Sequence, residues 1–176
     1  MTALSEAIVH HSGTLTFQGE TFRAALGRGG VRLDKTEGDG ATPVGVLPLR
    51  RIFYRADRLT LPVSAVPVAP AETRDGWCDD PGHPDYNRHV QLPHAAGCEA
   101  LWRDDHIYDI IGVLGWNDEP IAAGIGSAIF LHAARPDFSP TEGCVALTIP
   151  ALRRVLEQGL TALRILPPSS TLARPS

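Results

Sequence analysis

The sequence predicts a mostly β domain, a sandwich or a barrel, with one flanking C-terminal helix and a long irregular insertion. Apolar and polar residues alternate near the N-terminus, and two later runs are rich in β-branched and apolar residues, a pattern typical of strands. The chain of 176 residues also contains 17 Gly and 15 Pro, which favours many turns over long helices. Its length fits one domain, which we expect to cover residues 1–168.

The first strands are predicted in "AIVHHSGTLTFQGETFRAALGR", where alternation is broken at Gly13 and again at Gly19. Because glycine tolerates the backbone conformations of tight turns, these breaks indicate a meander of β-hairpins. The next strand is expected to start near Val44, after a Thr-Pro pair.

Residues 55–97 are dense in Pro, Asp and Gly and have few periodic stretches, which predicts the irregular insertion. Two buried strands follow, in "HIYDIIGVLGWN" (106–117) and "GSAIFLH" (126–132). The helix is predicted in "TIPALRRVLEQG", with Pro150 in its first turn and Gly159 at its end. "TALRILP" predicts a closing strand, and residues 169–176 a flexible tail.

Composition and charge exclude several classes of partner. A formal net charge of −4 offers no electrostatic attraction to nucleic acid or to an anionic membrane surface. No apolar run approaches the roughly 18 residues that a membrane span needs. We therefore expect no nucleic-acid partner and no membrane span.

The three cysteines, Cys78, Cys98 and Cys144, are too few for a disulfide scaffold. Cys78 and Cys98 are interpreted as small buried residues, although they would be able to pair in an oxidising compartment. Cys144 differs, because it follows a glycine in "FSPTEGCVAL" and belongs to a loop that leaves one predicted strand and returns toward the next.

A cysteine attacks a carbonyl as a thiolate, so it needs a neighbouring base. His132 ends the strand "SAIFLH", and the loop that follows returns to Cys144. Gly143 leaves room for a substrate and lets backbone N–H groups face a developing oxyanion. The pattern favours acyl transfer through a thioester, with the two residues either exchanging a proton or resting as an ion pair. By spacing alone, two core residues remain the alternative.

Three separated motifs extend this hypothesis: "GSAIFLHAARPDFSPTEGCVAL", "GDGATPVGVLPL" and "DGWCDDPGHPDYNR". Together they resemble the L,D-transpeptidase catalytic domain (YkuD-like) family, in a compact bacterial branch, over residues 27–166. The resemblance implies a β-sandwich-type domain with a mixed sheet and no cofactor. It also implies a peptidoglycan stem peptide or muropeptide as substrate and inactivation by carbapenem-type inhibitors.

The resemblance assigns roles to individual residues. Cys144 corresponds to the family's nucleophile, His132 to its activating histidine, and Gly143 with the Cys144 amide to the oxyanion-binding turn. A backbone carbonyl usually orients the imidazole in this family. Candidate substrate contacts, from the resemblance or from their positions, are Arg135, Thr141, Trp116, Asn117, Tyr86, Asn87 and Arg88.

Some of these candidates have a structural alternative. Arg135 suits a substrate carboxylate, although it is also interpretable as a solvated loop charge. Trp116 equally suits packing at a strand end. Ser127 is a candidate to orient His132, but a strand serine that faces solvent or backbone is the more usual case.

The chain departs from the family pattern at Ala133, usually glycine, at Glu142, usually histidine, and at Ala146, usually Arg or Asn. Leu47 replaces an aromatic residue in "ATPVGVL". These differences concern the acyl donor and acceptor rather than the catalytic pair. An amine acceptor would make the protein a transpeptidase, and water would make it an L,D-carboxypeptidase that trims tetrapeptide stems.

Two further expectations concern metal and location. His83, His89, His94 and Cys98 crowd one irregular region, but their spacing fits no closed zinc motif, so we expect no metal. A wall-binding module without activity is the remaining alternative. The first twenty residues show no secretory leader, which favours the cytoplasm, or the periplasm or cell envelope for a wall cross-linker.

Overall fold

Fourteen β-strands, one α-helix and one 3-10 helix are the regular elements of residues 5–168, the part of the chain that the computed structural model describes. The strands are β1 (Glu6–His10), β2 (Thr14–Phe17), β3 (Glu20–Arg23), β4 (Val31–Arg32), β5 (Thr42–Pro43), β6 (Gly45–Tyr54), β7 (Val68–Pro70), β8 (Asp75–Cys78), β9 (His89–Gln91), β10 (Cys98–Ala100), β11 (Ile110–Leu114), β12 (Phe130–Ala133), β13 (Val145–Leu147) and β14 (Ala162–Ile165). The 3-10 helix covers His106–Tyr108, and α1 covers Ile149–Glu157. The tail predicted at 169–176 lies outside the described residues.

The N-terminal hairpins are confirmed. Strands β1, β2 and β3 pair antiparallel in chain order. The turn between β2 and β3 has positive φ at Gln18 (45°) and Gly19 (82°), as a two-residue hairpin turn requires. Leu15 and Phe17 of β2 alternate toward the core, which accounts for the period of two in the sequence.

A nine-stranded mixed sheet forms the body of the domain, in the order β13-β12-β11-β6-β14-β1-β2-β3, with β7 paired to β6 off this path. The β1–β14, β12–β13 and β6–β7 pairs are parallel, and the other pairs are antiparallel. Strand β6 lies in the middle and is ten residues long. The predicted mostly β fold with a mixed sheet is therefore confirmed.

The two ends of this sheet meet. Ala25, just after β3, exchanges two backbone hydrogen bonds of 2.9 Å with Ala146 on β13. Next to this bridge, Arg28 N–H donates to the Thr141 carbonyl at 2.8 Å, and Thr141 N–H donates to the Leu26 carbonyl at 2.9 Å. We call this contact the seam. It closes the sheet toward a barrel and ties the segment that precedes β13 to the N-terminal hairpins.

Helix α1 begins and ends as the sequence predicts. The Thr148 hydroxyl accepts a hydrogen bond from Ala151 N–H at 3.3 Å, which caps the N-terminus. Leu152 and Leu156 are fully buried on one face, and Gly159 follows the helix with φ of 86°. At nine residues, α1 is too short to span a membrane, and residues 5–168 contain no longer apolar helix that would do so.

The insertion contains more regular structure than the sequence pattern indicated. Strands β8 and β9 lie within it and form a separate three-stranded sheet with β10, which directly follows it. Strands of three or four residues are too short to give a readable period, so composition alone suggested an irregular segment. The strand predicted at 126–132 begins later, at Phe130, because positive φ at Gly126 and Ala128 interrupts the extended backbone.

Candidate active site

A cleft of about 540 Å³ contains both residues that the sequence selected for catalysis, Cys144 and His132. His132 lies on β12, and Cys144 directly precedes β13. These strands are parallel neighbours, with His132 opposite Ala146, which is two residues after Cys144, and both side chains line the cleft. Both predicted residues therefore line the same cleft.

Backbone groups on both sides hold the Cys144 thiol. Its Sγ–H donates to the Ala128 carbonyl at 3.3 Å, and Sγ accepts from Phe130 N–H at 3.3 Å. The residue is 7% exposed. Burial raises the pKa of the Cys144 thiol to about 12, and the Glu99 carboxylate adds to the rise, while the Phe130 amide opposes it. The sulfur therefore rests as a thiol.

One nitrogen of the His132 ring makes a hydrogen bond to the backbone, which leaves the other nitrogen to accept a proton. Nδ1 lies 2.9 Å from the Ala133 carbonyl, and because a carbonyl only accepts, Nδ1 carries the proton and Nε2 the lone pair. Burial lowers the pKa of His132 to about 4, against the hydrogen bond to Ala133, which raises it. The glycine-to-alanine departure at Ala133 leaves this contact intact, because only the backbone oxygen takes part.

Cysteine and histidine thus rest as a neutral pair. Of the alternatives left open by the sequence, these pKa directions disfavour the ion pair. Within residues 5–168, both hydrogen-bond partners of the thiol are backbone groups, and neither is the imidazole. Proton transfer to His132 therefore requires the S–H group to turn away from the Ala128 carbonyl.

The turn before the sulfur depends on glycine. Gly143 has φ of 130°, and a Cβ placed on it would lie 2.7 Å from the Ala41 carbonyl oxygen. The Gly143 amide donates to the Thr141 hydroxyl at 3.1 Å, and that hydroxyl donates to the Cys144 carbonyl at 2.7 Å. Thr141 therefore braces the turn, and the Gly143 amide is engaged. Among residues 5–168, the Cys144 amide has no hydrogen-bond acceptor.

One wall of the cleft consists of residues that the sequence reasoning missed. The Tyr108 ring packs edge-to-face on the His132 ring, with centroids 5.2 Å apart. The Tyr108 hydroxyl donates to Glu99 at 2.5 Å, and the Arg103 guanidinium lies 5.5 Å from the Tyr108 ring. Burial raises the pKa of Tyr108 well above its usual value, so the phenol stays protonated. No spacing in the sequence links these three residues to the catalytic pair.

The rim of the cleft carries both signs of charge. Arg135 lines it, as expected for a substrate contact, with its side chain 49% exposed and 3.8 Å from Asp105. Lys35 is buried in the wall and pairs with Asp39 at 2.6 Å. Glu37 also lines the cleft. A ligand in this cleft would meet cationic and anionic groups at once.

Asn87 lies behind the cleft rather than in it, contrary to its predicted role as a substrate contact. Its Nδ2 donates to the carbonyls of Trp116 (2.9 Å) and Asn117 (2.8 Å), and its Oδ1 accepts from Trp77 Nε1 (2.9 Å) and Ala128 N–H (3.1 Å). The residue has φ of 56°, a conformation that asparagine tolerates. Its side chain is therefore fully occupied in joining strand β8 to the loop between β11 and β12.

Tyr86 and Ser127 both bind Glu37. The buried Tyr86 hydroxyl donates to this carboxylate and accepts from Gly126 N–H at 3.1 Å, while Ser127 donates to Glu37 at 2.7 Å. These bonds leave Tyr86 without access to the cleft. They also explain why Ser127 does not orient His132.

The remaining predicted contacts face elsewhere. Arg88 is exposed and, with Trp116, lines a second cleft of about 430 Å³. Trp116 Nε1 donates to the Ile125 carbonyl at 3.0 Å. The Asn117 side chain binds both backbone groups of Ala122, at 2.7 and 2.8 Å. The predicted cleft-lining role of Trp116 and Asn117 is wrong for the first cleft, because both stabilise the loop between β11 and β12.

The comparison with known families agrees with this geometry. A model of the YkuD family, the L,D-transpeptidase catalytic domain, matches residues 8–164. No curated protein matches the chain. The matched range contains the whole nine-stranded sheet except the first two residues of β1 and the last of β14, together with both residues of the neutral pair.

Proposed function

Because the chain belongs to the L,D-transpeptidase catalytic domain family, which acts on peptidoglycan stem peptides, we propose that it is a cysteine-dependent acyltransferase on these peptides. Cys144 is the nucleophile and His132 the general base. The observation that carries the proposal is the hydrogen bond from His132 Nδ1 to the Ala133 carbonyl, which leaves Nε2 free to accept a proton inside the cleft that contains Cys144.

The first half-reaction forms a thioester. Sγ attacks the carbonyl carbon that joins an L-centre to the terminal D-amino acid, and its proton passes to His132 Nε2. A C–S bond forms, the C–N bond breaks, and His132 returns the proton to the departing amine. The D-amino acid leaves, and the acyl group stays on Cys144.

The negative charge of the tetrahedral intermediate needs a hydrogen-bond donor. The Cys144 amide suits this role because it has no acceptor among the described residues. Gly143 acts through the backbone shape of the turn, and its own amide becomes a second donor only if it leaves the Thr141 hydroxyl. Thr141 is accordingly a positioning residue in this proposal.

The second half-reaction transfers the acyl group from sulfur to an acceptor. An amine yields a cross-link and makes the protein a transpeptidase. Water yields a shortened peptide and makes it an L,D-carboxypeptidase. Both outcomes share the same thioester, so the acceptor has to be identified by experiment.

The rim of the cleft suits a stem peptide. Such a peptide carries carboxylates, and Arg135 and Lys35 supply positive charge at the cleft, while Glu37 and Glu142 supply negative charge for an amine. Arg135 is the better candidate for direct contact, because its side chain is half exposed and only weakly engaged by Asp105. Lys35 is already bound to Asp39.

Intact mass spectrometry tests the proposal. The full chain is incubated with a carbapenem, and separately with a tetrapeptide stem, with and without an amine acceptor. We expect a covalent carbapenem adduct and release of the terminal D-amino acid for the wild type, and neither for Cys144→Ala. His11→Gln is the control, because His11 is exposed and lies outside the cleft, so this variant should keep the adduct. A folded wild type that gives no adduct and no product would overturn the proposal.

A further inference from the structure

Outside the cleft, the insertion brings two cysteines and a histidine together. Cys78 on β8 lies directly opposite Cys98 on β10 in the antiparallel register. One potential ligand atom from each of Cys78, His94 and Cys98 lies within 4.8 Å of the other two. Both cysteines are free thiols, so their sulfurs are available to a metal ion.

These distances and atom types fit zinc. In a tetrahedral site with Zn–S near 2.3 Å and Zn–N near 2.0–2.1 Å, neighbouring donor atoms are separated by roughly 3.3–3.8 Å, which the observed limit of 4.8 Å accommodates. Thiolates together with imidazole favour zinc over the harder magnesium and calcium ions. Cys78 is fully buried, while Cys98 and His94 are half-buried, so the site is enclosed on one side and open to ion entry on the other.

The surroundings of His94 are those of a metal-binding histidine. Its Nε2 lies 3.1 Å from Oδ2 of Asp85, and a ligating histidine characteristically donates its other N–H to a carboxylate. Nδ1, the nitrogen left for the ion, accepts a hydrogen bond from Ala96 N–H at 3.2 Å, which the ion would replace. His83, Asp85 and His94 also form a second set of potential ligands within 4.8 Å of one another. Neither His83 nor Asp85 belongs to the set that contains both cysteines, so the fourth position of an ion there is left to a water molecule.

We propose that Cys78, His94 and Cys98 bind one Zn²⁺ ion, with a water molecule as the fourth ligand. This assignment revises the expectation that the chain holds no metal. That expectation counted His89, which instead lies 2.9 Å from Asp75 and stacks on Phe53. It also left out Cys78, because the pairing of β8 with β10, which brings the cysteines together, was not predicted.

The ion would be structural and would fix one wall of the cleft. Asp79 follows Cys78 in the chain, Glu99 follows Cys98, and both carboxylates line the cleft beside Cys144. Glu99 also accepts the hydrogen bond of Tyr108. Crosslinking β8, β10 and the intervening loop through one ion would hold these groups in place without any contact between metal and substrate.

A disulfide is the rival outcome for two facing cysteines. Oxidation of Cys78 and Cys98 removes two hydrogens and both thiolates, so the same pair cannot form a disulfide and bind zinc. The intact mass of the protein distinguishes these states directly.

Metal analysis of the full chain, purified with a reducing agent, tests the proposal. We expect one zinc per chain by elemental mass spectrometry for the wild type and for Cys144→Ser, which is the matched cysteine control. Cys78→Ser and Cys98→Ser should each retain at least tenfold less. Cobalt(II) added to the zinc-free wild type should give a thiolate charge-transfer band in the near ultraviolet, and His94→Gln should weaken it.

The result that overturns the proposal is a folded, reduced wild type that binds neither zinc nor cobalt. Equal zinc content in wild type and Cys78→Ser would overturn it as well. If the cysteine variants fail to fold, the cobalt spectrum of the wild type and the His94→Gln variant decide. Because carbapenem acylation is measured at Cys144, failure of the zinc proposal leaves the proposed acyltransferase activity untouched, and the reverse also holds.

Discussion

At the scale of single residues, the sulfur of the proposed nucleophile, Cys144, rests in a buried and protonated state. Its proton is held by the Ala128 carbonyl, and burial keeps the thiol protonated and His132 neutral. Such a thiol reacts slowly with solvent-borne electrophiles, because the thiolate is the reactive form. If a bound substrate breaks the hydrogen bond from the thiol to Ala128 and turns the thiol toward Nε2, Cys144 becomes a nucleophile only in that complex. The sequence identified the two residues but not their charge, because ionisation depends on burial.

Gly143→Ala tests the turn before the sulfur. The new methyl group would lie 2.7 Å from the Ala41 carbonyl oxygen, and alanine would have to adopt the unfavourable φ of 130°. We expect the free energy of unfolding to fall by about 1–3 kcal/mol, and the rate of carbapenem acylation to fall roughly tenfold or more as the sulfur moves. Urea denaturation and adduct kinetics measure the two effects.

Gly19→Ala is the matched control, since that glycine also has positive φ, 82°, but a Cβ added to it would have no atom within 4 Å. It should lose stability through backbone strain alone and keep normal acylation. Acylation of Gly143→Ala at the wild-type rate would contradict the role assigned to the turn.

At the scale of elements, short loops rather than strands determine the position of the thiol's hydrogen-bond acceptor. Ala128 has φ of 53°, and its amide binds the Asn87 side chain from the insertion. Asn87 thus acts on Cys144 through one intermediate residue. The "DYNR" motif drew attention to Asn87 for a different reason, as a substrate contact, and its structural role depends on distant loops that no local pattern reveals.

Asn87→Ala should lower the free energy of unfolding by roughly 2–4 kcal/mol, because four hydrogen bonds are lost and two carbonyls and two N–H groups lose their partner. Acylation should slow as the Ala128 carbonyl loses its fixed position. Asn87→Asp is the control: it keeps an acceptor for Trp77 and Ala128 while it removes the two donors. If the free energy of unfolding of Asn87→Ala is within about 1 kcal/mol of the wild-type value, the structural role assigned to the Asn87 side chain is wrong, because losing four buried hydrogen bonds should cost more.

The elements that were predicted from sequence share a physical property. The β1–β3 hairpins and helix α1 depend on residues close together in the chain. Glycines form the turns of the hairpins, and the helix has a threonine cap and one buried apolar face. The β8–β9–β10 sheet depends on pairing across the insertion, for instance Trp77 with Glu99, and its strands are too short to leave a period.

At the scale of the whole molecule, the buried Cys144 and His132 side chains predict how stability depends on pH. The pKa of His132 is lowered from 6.5 to about 4 on folding, so the unfolded chain binds the extra proton, and stability should decrease as pH falls from about 6.5 toward 4. The pKa of Cys144 is raised from 9.0 to about 12, so stability should also decrease as pH rises above about 9. Thermal unfolding from about pH 4 to pH 10 measures both slopes.

His132→Gln should flatten the acid slope, and Cys144→Ser should flatten the alkaline one. His11→Gln serves as control, since His11 is exposed and its replacement should leave the profile unchanged. An acid slope that is identical in wild type and His132→Gln would show that other groups account for it.

The candidate site was predictable only in part for a related reason. Cys144, His132 and Gly143 lie close in sequence and form a readable motif, whereas the wall of Tyr108, Glu99 and Arg103 assembles through the packing of separate segments. Family membership adds the chemistry of the motif. The wall follows only from the tertiary structure.

The seam between Ala25 and Ala146 has a consequence for the order of folding. Residues from opposite ends of the chain must meet there, and such distant contacts form late because the intervening loop loses entropy. The strand that follows Cys144 is held in register partly by this distant contact and partly by β12. A partly folded chain would therefore contain the cysteine without its neighbours in place, and would acquire reactivity toward substrate only when the ring of strands is complete.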